Sequence, residues 1–160
     1  MKDVFTESDR AKNGEETARS ADIETAKYAL ASASVVFCKD GKRTERTERG
    51  VMPLLLLIAS GKDWRGYSVA DKIVGKAAAL LLVKMGVREV YGEVISFGAK
   101  QVLEKYGIEF SYRNLVAQIM NRQGTGQCPM EKSTEITDDP EQAYQIILKT
   151  QEELHGGGKI

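Results

Sequence analysis

Apolar positions recur at helical spacing from Ala21 to Ala33, where Ile23, Ala26, Ala29 and Leu30 share one face and predict a short amphipathic helix. The pattern turns β-rich over Ser34–Lys39, and Asp40-Gly41 follows, a pair suited to a tight hairpin turn because both central residues of a type I′ turn need positive φ. Lys42–Glu48, where Thr alternates with charge, is the expected returning edge strand. Val51–Ser60 reads as a helix stopped by Gly61. A longer helix is expected from Ser68 to Met85, closed by Gly86, and its second half, Ala77-Ala78-Ala79-Leu80-Leu81-Leu82-Val83, is apolar all round and therefore buried. Val87–Ser96 reads as a strand, Ala99–Tyr106 as a helix ended by Gly107, and Ile108–Tyr112 as a second strand. That succession is a βαβ unit, which implies parallel pairing. Asn114–Asn121 is expected to be helical, and Asp138-Asp139-Pro140 opens a last helix reaching about Leu154.

The elements add up to one three-layer α/β/α domain over residues 21–154, with a mixed sheet, an N-terminal hairpin and a parallel βαβ unit. Residues 1–20 hold nine charged residues and few large apolar ones, and are expected to form a flexible tail; residues 155–160, rich in glycine, are expected to be a flexible end. Composition narrows the function. The 160 residues carry 23 basic and 23 acidic side chains, so no excess of positive charge favours nucleic acid. No apolar run approaches the ~20 residues that a membrane helix requires. With two cysteines and no signal-peptide pattern, the expected location is cytoplasmic. A single histidine, His155 beside the glycine-rich end, removes much of the usual catalytic and zinc chemistry.

Three places hold candidate chemistry. At the start of the predicted central helix, Asp71 falls in the first turn and Lys72 and Lys76 lie one turn apart; Ser68 with Asp71 also reads as a capping pair. Lys76 falls in line with Val69, Ile73 and Leu80, so it must snorkel, find a carboxylate or act. The second place is Asn121-Arg122-Gln123-Gly124-Thr125-Gly126-Gln127-Cys128-Pro129-Met130-Glu131. Its glycines free the backbone for a tight loop, and Cys128 caps a helix whose first turn holds Pro129. Backbone N–H groups of Gly124, Thr125 and Gly126, with Arg122, could hold an anion, and a thiol at a helix start favours its thiolate. An ordinary loop with an inert thiol is the alternative. The third is Arg49 at the hairpin exit, a cleft residue or solvated charge. Cys38 belongs in the core, and Trp64 and Tyr67 either wall a cleft or pack a connection.

Helix, hairpin, buried central helix, βαβ unit and Cys-Pro helix start together resemble the cytidine-deaminase-like fold. More narrowly, Glu48–Leu55, Ser68–Ala79 and Asn121–Glu131 resemble a prokaryotic family of unknown function assigned to that superfamily, over about Ile23–Leu148. The resemblance to deaminases implies a His-x-Glu at the central helix and a Pro-Cys-x-x-Cys on a later one. Here the first place reads Val69-Ala70-Asp71 or Asp71-Lys72-Ile73, and in the second Glu131 stands where another thiolate would. Zinc-dependent deamination is therefore not expected, and no metal or other cofactor is assigned. Three readings follow: a small-molecule domain holding an anionic or nucleotide-type ligand; an enzyme with Cys128 as nucleophile, Lys76 favouring its thiolate and Asp71 or Glu131 moving protons; and a non-catalytic protein that forms homo-oligomers or binds a partner.

Overall fold

A computed structural model describes residues 21–155. Helix α1, residues 21–29, runs on into a 3₁₀ turn, Leu30–Ser32. Strands β1 (Val35–Lys39) and β2 (Lys42–Arg46) form the hairpin. Its turn is the one expected, with φ of 52° at Asp40 and 77° at Gly41. The carboxylate of Asp22, from α1, accepts from the N–H of both Asp40 (3.0 Å) and Gly41 (2.9 Å).

Helix α2 (Met52–Ala59) is followed by strand β3 (Ser68–Val74), helix α3 (Lys76–Met85), strand β4 (Glu89–Ser96), helix α4 (Phe97–Lys105) and strand β5 (Glu109–Val116). Helices α5 (Pro129–Thr134) and α6 (Pro140–Leu154) close the described chain. The strands make one open mixed sheet in the order β2-β1-β3-β4-β5. β1 is antiparallel to both β2 and β3, whereas β3, β4 and β5 run parallel. The fold is thus α/β, and both β3-α3-β4 and β4-α4-β5 are βαβ units.

The alternation in β1 and β3 divides the core. Val35, Phe37 and Val69 point into the larger cluster, beneath α2, α3 and α4, and Val36, Cys38 and Ala70 point to the smaller one, beneath α1 with Ala26, Ala29 and Leu30. The segment Ala77–Leu82 is wholly buried, as its sequence requires, and α6 and α5 pack on α3 from outside. Trp64 and Tyr67 pack a connection: their rings lie 5.2 Å apart, with Phe37 5.2 Å from Trp64. No helix among the described residues is long and apolar enough to cross a membrane.

Two predicted helices are corrected. Ser68–Val74 is the middle strand of the sheet, so Ser68 and Asp71 form no capping pair, Asp71 occupies no helix turn, and Lys72 shares no helix face with Lys76. Val69, Ile73 and Ala77 repeat every four residues, which imitates a helix; β1 and β4 hydrogen-bond the segment from both sides, and Gly75, extended at φ −91° and ψ −179°, delays α3 to Lys76. Asn114–Asn121 likewise is no helix: β5 continues to Val116, and Met120 pairs with Gln127 across a loop. The expected tail, residues 1–20, and residues 156–160 lie outside the described residues.

Candidate functional site

The carboxyl ends of β3 and β4 turn directly into α3 and α4, which gathers two helix N-termini on one side of the sheet. The two starts satisfy their unpaired N–H groups differently. α4 uses its own Ser96, whose hydroxyl accepts from the N–H of Ala99 at 3.1 Å. α3 has only Gly75 at its cap, and its acceptor comes from α5: the Lys76 N–H donates to Glu131 Oε2 at 2.9 Å. Glu131 is buried, and a β-carbon at residue 75 would sit 1.3 Å from its Oε1. Gly75 is therefore required for space, since its φ suits any residue. Burial raises the pKa of Glu131, while the Lys76 N–H and the Lys76 charge pull it back.

The Lys76 side chain is only 16% exposed and runs to Asp138, with Nζ 3.0 Å from Oδ1 and 3.5 Å from the Glu135 carbonyl. Lys105, at the end of α4, approaches the other oxygen of Asp138 at 3.6 Å. The Tyr106 hydroxyl donates to the Asp138 carbonyl at 2.6 Å, tying this connection to α4. Lys76 first, and Lys105 after it, hold the Asp138 carboxyl below its ordinary pKa. Between them lies a cleft of about 230 Å³ lined by Lys76, Gly98, Gln101, Val102, Lys105 and Asp138.

Asp71 stands in mid-sheet, between Val35 of β1 and Gly92 of β4. It is buried and accepts from the Ile73 N–H at 3.1 Å, and no cation among the described residues pairs with it. Desolvation, only partly offset by backbone N–H groups, pushes its pKa up to about 7. Cys128 does begin α5, as expected, with its N–H donated to Ile119 O at 2.9 Å. Its thiol makes no capping bond and is hydrogen-bonded to none of Asp71, Lys76 and Glu131. In the preceding loop the N–H groups of Gly124 and Thr125 go to the carbonyl and side-chain oxygens of Asn121, at 3.1 and 3.0 Å, and Gly126 gives its carbonyl to the Asn121 N–H. Arg122 and Arg49 are exposed.

The structure therefore joins Lys76 to Glu131 and leaves Asp71, Cys128, Arg49 and the glycine loop apart from that contact. Among the described residues no group of three His, Cys, Asp or Glu side chains is arranged for a metal ion. Gly75, Gln101, Lys105 and Asp138 went unnoticed in the sequence. Asp138 had one signal, its place just before the cap of α6, but that signal pointed to a helix start.

A family model described as "TM1506: Domain of unknown function (DUF1893)" matches residues 25–150. The crystal structure of a DUF1893 family protein (TM1506) from Thermotoga maritima aligns with a TM-score of 0.70 and 31% identity, over 76% of this chain and 83% of that one. A diaminohydroxyphosphoribosylaminopyrimidine deaminase/5-amino-6-(5-phosphoribosylamino)uracil reductase, also from Thermotoga maritima, is 20% identical over 61% of this chain and 36% of its own length. Its TM-score of 0.37 is too low to argue from. No curated protein matches the chain. Sequence and structure agree on the family, and this chain belongs to DUF1893, a family of domains of unknown function.

Proposed function

We propose that the domain binds a small phosphate- or carboxylate-bearing molecule in the cleft between α3 and α4, on a deaminase-like order of elements and without zinc chemistry. One observation carries this reading: Lys105, from the last turn of α4, and the largely buried Lys76, at the start of α3, converge on a single half-exposed carboxylate, Asp138, and Lys76 lies just beyond the carboxyl end of β3. Open α/β sheets commonly hold ligands at that end. Asp138 occupies the position that an incoming anion would take, between the two ammonium groups. The helix start of α3 is not the anion site, because Glu131 already fills it. Cys128 as nucleophile lacks comparable support, having no hydrogen-bonded base among the described residues.

Thermal-shift and calorimetric titrations with inorganic phosphate, nucleoside monophosphates and small dicarboxylates test the reading. A ligand at ~100 times its Kd stabilises the fold by about 2.7 kcal/mol, an upward shift of several degrees. The shift is expected with at least one probe and should vanish in the Lys76→Gln/Lys105→Gln variant. No shift with any probe at high millimolar concentration would sink the proposal.

A further inference from the structure

β5 is an edge strand of eight residues, and no strand among the described residues pairs with its outer side. Six of its residues are exposed and only Phe110 and Val116 are half-buried. An edge this long, offering free N–H and C=O groups, ordinarily carries charge, proline or a cover to prevent pairing. The opposite edge, β2, follows that rule with Lys42, Arg43, Glu45 and Arg46 in five residues. β5 carries just Glu109 and Arg113, and their spacing is the informative feature. In an antiparallel pair of two identical strands related by a two-fold axis at Ser111, Glu109 of each copy faces Arg113 of the other, and Phe110 faces Tyr112. Both opposed pairs are of stabilising kinds, one ionic and one aromatic. Phe110 and Tyr112 already stack within one copy, centroids 6.4 Å apart and 18° between planes, so the pairing would extend that row. Moving the axis to Tyr112 would set Glu109 against Leu115 and Phe110 against Asn114. The same construction on β2, centred at Thr44, opposes Lys42 to Arg46, two like charges, beside an attractive pair of Arg43 and Glu45.

We propose that two copies of this chain associate through β5, antiparallel about a two-fold axis at Ser111, joining their five-stranded sheets edge to edge into one continuous sheet. The partner is a second copy because the strand complements itself in sequence, a property that an unrelated strand would have no reason to match.

Sedimentation velocity over a concentration series reads the association. The wild-type chain is expected to show a concentration-dependent dimer, and Arg113→Glu and Glu109→Arg should each give a monomer. The exchanged variant, Glu109→Arg/Arg113→Glu, should restore the dimer. Circular dichroism should be unchanged throughout, both positions being exposed. A second measurement checks register. Opposed residues of antiparallel strands have Cα atoms about 4.5–5.5 Å apart, within disulfide reach. Ser111→Cys should therefore cross-link to a dimer on mild oxidation, whereas Arg113→Cys should not. The inference fails if the wild type stays monomeric at high micromolar concentration, if either single reversal leaves the dimer intact, if the exchange does not restore it, or if Arg113→Cys cross-links as readily as Ser111→Cys.

Discussion

Asp71 and Glu131 are both carboxylates withdrawn from water, and the fold treats them in different ways. Glu131 is set against the N-terminus of α3, where the Lys76 N–H, the positive end of the helix and the nearby ammonium compensate part of its desolvation. Asp71 has two backbone N–H groups and, among the described residues, no cation, and its pKa rises from an ordinary 3.8 to about 7. The first carboxylate fastens α5 to α3 across 55 positions of chain. The second is a charge that the folded state disfavours. Burial alone thus says little about a carboxylate's role; what decides is whether a helix end and a cation face it in addition to backbone N–H groups.

The sharpest way to break this contrast is Gly75→Ala. The added carbon displaces Glu131 and leaves the first N–H of α3 and a buried carboxylate without partners, a loss of about 4 kcal/mol in urea denaturation. Glu131→Ala in the same chain should recover part of that loss, so the double variant falls short of additivity. Asp71→Asn tests the other side. Below about pH 4 both folded and unfolded states hold the Asp71 proton, and between about 4 and 7 only the folded state does. Stability therefore falls by about 1.36 kcal/mol per pH unit as pH rises through that window and levels off above it. Asp71→Asn should abolish this slope and be more stable than wild type by about 4 kcal/mol at pH 8, as read from denaturation curves at several pH values.

Smaller effects refine the picture. Glu131→Gln keeps an acceptor for the Lys76 N–H but loses its negative charge at the helix end. A cost of about 1 kcal/mol at neutral pH is expected, measured by thermal and urea unfolding. Asp138→Asn removes an exposed partner of Lys76 and Lys105, worth at most about 1 kcal/mol. Its more telling consequence is in calorimetric titration, where phosphate should bind more tightly once the competing carboxylate is gone.

Features encoded by neighbours in sequence were readable from the chain. Asp40-Gly41 sets its own dihedral angles, and Asp139 caps α6 with its own side chain, accepting from Glu141 and Gln142. The buried run Ala77–Leu82 and the parallel β4-α4-β5 unit follow from local periodicity. β3 did not reveal itself, because Ser68–Val74 has helical spacing, and the strands that make it a strand lie elsewhere in the chain. The site was legible only in pieces: Lys76 and Glu131 stood out as residues, but neither their contact nor the demand it places on Gly75 has any signal at short range. Lys105 has none either, and the one signal at Asp138, its place just before the cap of α6, marks a helix start and no site.

Asp22 links the hairpin to α1 in a way that bears on how the molecule opens. A turn at the surface would normally exchange its amide hydrogens quickly, yet Asp40 and Gly41 donate theirs to a carboxylate 18 and 19 positions earlier. The same carboxylate accepts from the Cys38 thiol at 3.6 Å, and burial followed by the Asp22 charge pushes that thiol up to about 11. Detachment of α1 would expose all three groups together. Amide exchange at the turn and alkylation of Cys38 should then proceed with one shared opening free energy, which makes the buried thiol a chemical reporter of a cooperative unit formed by helix and hairpin.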